Sequence, residues 1–245
     1  MLMPEVPGIH PAVLGLGNHL VDDGFTVVIP SLFGTPGKAR SGGYALQTIA
    51  RLCVAREFMA FAVGADRPIA NHVRALASDL NERTPGPGVG VIGMCFTGGF
   101  ALAAAVDGSV RASVVSQPSA PLPLMPCQRR DPGLSDGELD VVNSRALSGD
   151  LRALGLRFSA DWAAPAQRFA ALSERLGSAF EIIPLDSSPG NPSGFSRFAH
   201  SVLTDEVREL PGYPAFEARR RVVAFLTERL TVPSNPDDNS GENAP

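Results

Sequence analysis

Short apolar runs alternate along the chain with stretches whose apolar positions recur at helical spacing, the pattern of a parallel sheet covered by helices on both faces. The runs near Leu2 to Glu5, Thr26 to Ile29, Val89 to Ile92, Ala112 to Val115, Leu154 to Phe158 and Phe180 to Pro184 are short and rich in β-branched or aliphatic residues, so they predict buried strands. Helices are expected near Pro11 to Asp23, Tyr44 to Phe61, Ile69 to Arg83, Phe96 to Val106, Ala164 to Leu176 and Pro214 to Leu230. Ser135 and Glu138 form a capping box that opens one more, ending before Gly149. Between them, Pro30 to Gly43, Ser116 to Leu134 and Asp186 to Phe195 are rich in Gly, Pro and Ser and read as loops. After Thr231 almost nothing remains to bury, so the expected organisation is one domain over 1–232 and a disordered tail over 233–245.

Composition narrows the picture. With 44% hydrophobic and 19% charged residues the chain of 245 residues is globular, and a formal charge of −4 offers no general attraction to nucleic acid or to an anionic membrane. No apolar run is long enough to span a bilayer and the amino terminus lacks the features of a secretory signal, which points to the cytoplasm. Cys53, Cys95 and Cys127 cannot all pair within the chain, and none has the close spacing of a zinc site. No metal or cofactor is expected, the partner class is a small molecule, and oligomeric state is left open.

Chemistry concentrates in Val91-Ile92-Gly93-Met94-Cys95-Phe96-Thr97-Gly98-Gly99, where a strand passes through a glycine into a cysteine and then a helix. This is the pattern of a nucleophile elbow, whose tight turn demands small flanking residues. Thr97 stands where the generic elbow has glycine, and it is accommodated if its side chain turns away from the neighbouring strand. A cysteine in the first helical turn gains thiolate character from the helix dipole, and the N–H of Phe96 faces a reacting carbonyl. The plainer reading of Cys95, a small buried residue in a βα turn, loses weight because of the flanking glycines and because a partner histidine follows. Cys53 falls mid-helix and Cys127 in a loop without elbow features.

His200 follows a long connection after the last expected strand, as a catalytic base does in a nucleophile, acid, histidine order. His19 and His72 fall within helices, while His10 either lines a pocket or sits exposed at a helix start. Two carboxylates could orient His200: Asp161, after one strand and before Pro165, and Asp186, nearer in sequence. The pairs and triplets Arg129-Arg130 and Arg219-Arg220-Arg221 read as solvated faces.

The elbow, Glu5-Val6-Pro7-Gly8, Ala160-Asp161-Trp162-Ala163-Ala164-Pro165 and Ala199-His200-Ser201 occur in the order found in dienelactone hydrolases, and the chain resembles that family up to about Leu230. The resemblance implies an α/β-hydrolase fold, a mostly parallel central sheet with helices on both faces. It implies Cys95 as nucleophile, His200 as base and acid, Asp161 as the residue orienting it, and Glu5 as a carboxylate that helps switch the thiol to thiolate. The backbone N–H groups of Val6 and Phe96 would form the oxyanion hole. The implied activity is hydrolysis of a small lactone, ester or thioester through an acyl-cysteine; the alternatives are a non-catalytic binding protein of this fold or a redox-sensing thiol.

The family's substrate-binding arginine after the histidine is Thr204 here, with Arg208 out of register, and its tyrosine after the elbow is replaced at Ser116-Gln117, so dienelactone is not the expected substrate. The family also carries strands ahead of the one holding Glu5. The expectation is therefore either an exposed sheet edge beside Leu2 to Glu5 or a gene start lying upstream.

Overall fold

The computed structural model describes residues 1–231, and the expected tail lies outside the described residues. In chain order the elements are β1 (Leu2–Met3), α1 (Pro11–Asp22), α2 (Gly42–Val54), α3 (Pro68–Arg83), β2 (Val89–Met94), α4 (Gly98–Ala104), β3 (Val110–Ser116), α5 (Pro126–Arg130), α6 (Asp136–Leu147), β4 (Arg152–Phe158), α7 (Ala166–Leu176), β5 (Phe180–Leu185) and α8 (Pro214–Leu230). The strands form one sheet in the order β1-β2-β3-β4-β5, each neighbour parallel to the next.

Two apolar layers hold the helices to this sheet. On one face Val13, Leu16 and Leu20 of α1 join Val222, Phe225 and Leu226 of α8 over Ile92, Val114, Leu154 and Leu156. On the other, Val73 of α3, Leu102 of α4, Val142 of α6 and Leu172 of α7 pack over Val91, Val115 and Ala153. Successive strand residues point to opposite faces, which is why all six residues of β2 are buried. The capping box is present: Ser135 Oγ accepts from the Glu138 N–H at 3.3 Å, and Glu138 accepts from the Ser135 N–H at 2.8 Å.

Two expected elements differ. The run Thr26 to Ile29 is extended but is not a strand, making one ladder bond from the Leu2 N–H to the Val28 carbonyl at 2.8 Å. The next donors of a parallel ladder would be the N–H groups of Pro30 and Pro4, and proline has none. β1 is thus one of the two edge strands among the described residues, its outer side accompanied by this singly bonded run. The helix expected to reach Phe61 ends at Val54. Beyond it, the buried Arg67 guanidinium takes the carbonyls of Phe58 (3.1 Å), Ala62 (2.6 Å) and Ala65 (3.3 Å), so these groups bond a side chain instead of a helix.

Candidate active site

β2 delivers Cys95 to the carboxyl end of the sheet in a strained turn: its φ is +55°, a left-handed conformation that non-glycine residues adopt rarely. Gly93 makes the turn feasible, since a Cβ there would lie 2.3 Å from the Thr97 carbonyl oxygen. A 3-10 turn over Cys95–Thr97 leads into α4.

Thr97 corrects the expected orientation. Its side chain turns toward the neighbouring strand: the hydroxyl accepts the Met94 N–H at 3.0 Å, and its one proton faces the carbonyls of Met94 (3.0 Å), Pro4 (3.2 Å) and Met3 (3.3 Å). A glycine could not supply these contacts, which set the end of β1 and Pro4 beside the elbow.

Asp161 lies in the turn after β4 and is buried; its Oδ1 accepts the Ala163 N–H at 3.0 Å, and its Oδ2 is 2.7 Å from His200 Nδ1. Asp186 is held elsewhere, accepting from the Ser159 hydroxyl at 3.2 Å and the Ser188 N–H at 2.9 Å. Burial opposes ionisation of the Cys95 thiol, but the charge and hydrogen bonding of His200 outweigh it and bring the thiol pKa below its ordinary value, with Glu5 opposing. Burial likewise works against the imidazolium, and Cys95 and Asp161 raise the His200 pKa well above the usual value. Each group of the pair thus favours the charged form of the other.

Glu5 is only 1% exposed. One oxygen accepts from Ser201 Oγ at 2.8 Å and Gln117 Nε2 at 3.3 Å; the other accepts from Thr204 Oγ1 and lies 3.5 Å from His10 Nε2. Burial pushes its pKa up, yet His10, Thr204, Ser201 and the charge of His200 bring it below the ordinary carboxylate value. His10 is buried and faces Glu5, which excludes the exposed placement. Thr204, at the position of the family's arginine, serves the carboxylate as a neutral donor, while Arg208 stacks over the Tyr213 ring, 4.9 Å from its centroid. His19 is half-buried beside Asp23, and His72 is exposed.

Val6 is buried just beyond β1, and Phe96 packs its ring against Phe33, Phe58 and Phe100 beside the elbow. Two further residues escaped sequence reasoning. Ser119 donates its N–H to the Cys95 carbonyl at 2.9 Å and places Oγ 3.4 Å from Sγ. Arg168 of α7, 0% exposed, donates to the carbonyls of Pro118, Pro121, Gln128 and Asp131 at 2.5 to 2.8 Å, clamping the loop that carries Ser119. Among the described residues no group of three or more His, Cys, Asp or Glu side chains could hold a metal ion, and no helix is long and apolar enough to cross a membrane.

A parallel sheet between helix layers, with a strained residue at the end of a central strand and a histidine held by an acid from two later loops, defines an α/β-hydrolase fold. A putative dienelactone hydrolase from Klebsiella pneumoniae shares this fold at a TM-score of 0.59 and 15% identity, covering 93% of this chain and 85% of that one. A monoacylglycerol lipase from Paleococcus ferrophilus matches at a TM-score of 0.50 and 14% identity, covering 93% of both chains. No curated protein matches the sequence. The dienelactone hydrolase family matches residues 1–129, and the chain belongs to that family. Family and fold together support a hydrolase of esters or lactones.

Proposed function

We propose that the chain hydrolyses a small-molecule lactone, ester or thioester by way of an acyl-cysteine formed on Cys95. The observation that carries this reading is the His200 imidazole held 2.7 Å from the buried Asp161 carboxylate, together with a thiol presented in a strained elbow whose ionisation the charge of His200 favours. The Cys95 thiolate attacks the carbonyl, and the tetrahedral oxyanion develops toward the backbone N–H groups of Phe96 and Val6. The His200 imidazolium returns a proton to the leaving alcohol, alkoxide arm of the opened lactone, or thiol. The neutral imidazole then takes a proton from water as it attacks the acyl-cysteine, releasing the acid and restoring the thiolate and imidazolium. Asp161 holds the ring in one tautomer and stabilises its charged form. Buried Glu5, acting on both partners, sets how far the thiol is ionised before substrate arrives.

The test is a panel of p-nitrophenyl esters, small lactones and thioesters turned over by the wild type, Cys95→Ala, His200→Ala and the double variant. Each single variant is expected to abolish hydrolysis, with the double no worse than either, because residues acting as one unit are not additive. Rapid mixing should reveal a covalent adduct on Cys95 of the mass of the acyl group. Turnover retained by Cys95→Ala would overturn the mechanism, and no turnover on any substrate class would favour a ligand-binding role.

A further inference from the structure

We propose that Ser119 is a further catalytic residue: its hydroxyl donates a hydrogen bond to the Cys95 sulfur and holds it as the thiolate. The inference deepens the function proposed above, since it takes Cys95 as the reactive thiol.

The placement of Ser119 is fixed from several directions. β3 ends at Ser116, and Gln117, with φ of +32°, turns the chain back across the elbow. Pro118 then lies against Gly98, where a Cβ would come 2.6 Å from the proline Cα, so the loop and the nucleophile's helix are in direct contact. Ser119 follows, 5% exposed, and bonds one residue twice: its N–H to the Cys95 carbonyl at 2.9 Å and its Oγ to Sγ at 3.4 Å. The Arg168 guanidinium grips the carbonyls of Pro118 at 2.5 Å and Pro121 at 2.6 Å, one on each side of Ser119. A hydroxyl so held pays little ordering entropy when it bonds the sulfur.

The direction of this bond depends on the state of the sulfur. Beside a thiol either atom can donate; beside a thiolate only the hydroxyl has a proton, and a charged acceptor makes the stronger bond. A thioester sulfur carries no charge, so the bond weakens once Cys95 is acylated. Ser119 thus favours the ionised resting nucleophile over both the thiol and the acyl-enzyme. It acts with His200, from the loop after β5, and against Glu5, from the end of β1, whose charge disfavours the thiolate. Asp161 acts through His200.

This role predicts a crossing of pH profiles that a scaffolding role does not. Losing a hydrogen bond to the charged form raises a pKa, here by about one pH unit. A thiolate of higher pKa is also more nucleophilic, with a Brønsted slope of about 0.4–0.5. Iodoacetamide alkylation of Cys95, followed by mass spectrometry of its peptide so that Cys53 and Cys127 do not contribute, should therefore change in two opposite ways in Ser119→Ala. The rate should fall about three- to fourfold on the acid limb and rise about threefold on the alkaline plateau. Ser119→Thr, which keeps a hydroxyl, should restore the wild-type profile. If Ser119→Ala does not fold, as judged by circular dichroism, the comparison becomes Ser119→Thr against Ser119→Val, which differ by the hydroxyl alone and should show the same crossing. Superposable profiles with and without the hydroxyl, or a Thr variant shifted as far as Ala, would overturn the proposal. The readout needs no substrate. A crossing in a protein that hydrolyses nothing would sink the hydrolase reading and leave Ser119 in place.

Discussion

Replacing Arg168 with methionine removes the clamp on the loop over the elbow while keeping most of the side chain's volume. Four buried carbonyls, those of Pro118, Pro121, Gln128 and Asp131, lose their donor. At about 1.5–2 kcal/mol for each orphaned acceptor this amounts to about 6–8 kcal/mol. Against it stands the cost of holding a guanidinium away from water, visible in a pKa that burial pushes down to about 10 from 12.5. At about 1.4 kcal/mol per unit that cost is about 3.5 kcal/mol, and it disappears with the charge. The expected net loss is about 2.5–4.5 kcal/mol, a large share of the roughly 5–15 kcal/mol that stabilises a native protein. In urea, with a slope of about 2–3 kcal/mol per molar, the unfolding midpoint should fall by about 1–2 M. Arg168→Lys should recover less than half, because one ammonium cannot span the carbonyls a planar guanidinium bridges. A midpoint within about 0.3 M of the wild type in Arg168→Met would refute the reasoning, showing that water or loop movement satisfies the carbonyls at little cost.

Asp161→Asn should lower kcat by about four orders of magnitude through loss of the His200 tautomer and charge partner, while Asp186→Asn should leave it nearly unchanged; the reverse ranking would move the acid to Asp186. Glu5 has a folded-state pKa below its ordinary value, so its contribution to stability is full above about pH 4.5 and drains as pH falls through the folded pKa. Urea titrations of Glu5→Gln from pH 7 to 3 should accordingly show a flatter acid dependence than the wild type. Because the Glu5 charge disfavours the thiolate, the same variant should shift the acid limb of Cys95 alkylation to lower pH, opposite in sign to Ser119→Ala. Gly93→Ala should give an inactive and strongly destabilised protein, since its Cβ meets the Thr97 carbonyl oxygen at 2.3 Å; a thermal midpoint equal to the wild type's would contradict this.

The elbow was legible in sequence because its requirement is local: a strand, Gly93 two positions before Cys95, and a helix after it. The central strands were legible for the same reason, as short apolar runs bounded by turns. What sequence missed depends on groups far apart in the chain. Thr26 to Ile29 has strand-forming residues, but its ladder fails at Pro30, just after it, and at Pro4, just after β1. The overlong helix after Gly42 ends at Val54, and beyond it Arg67 takes carbonyls, from Phe58 onward, that a continued helix would have used. Arg168 did leave a signal: it precedes Leu172 and Leu176 by four and eight residues, so a cation occupies a core position of α7. Ser119 left none, being one polar residue in a loop of many, and its significance comes only from the fold that returns it to Cys95. Thr97 was legible as a departure from glycine but not in its direction, because two of the carbonyls its hydroxyl faces, those of Met3 and Pro4, lie more than ninety residues away in the chain.

Pro4 and Pro30 have a consequence for how mutations at one border of the molecule are felt at its centre. With both absent donors falling on the same flank, the outer run is fastened to β1 by a single backbone bond, while the inner side of β1 is tied to β2 and to the Thr97 hydroxyl. Glu5 and Val6 therefore follow a strand end held from its inner side, and Glu5 is fixed further by Ser201, Thr204 and Gln117, not by the border beyond them. Phe25, Val27 and Ile29 hold that margin through their side chains, which pack against the apolar layer of α1 and α8, so the exposed Thr26 is free to vary while changes at those three reach the core.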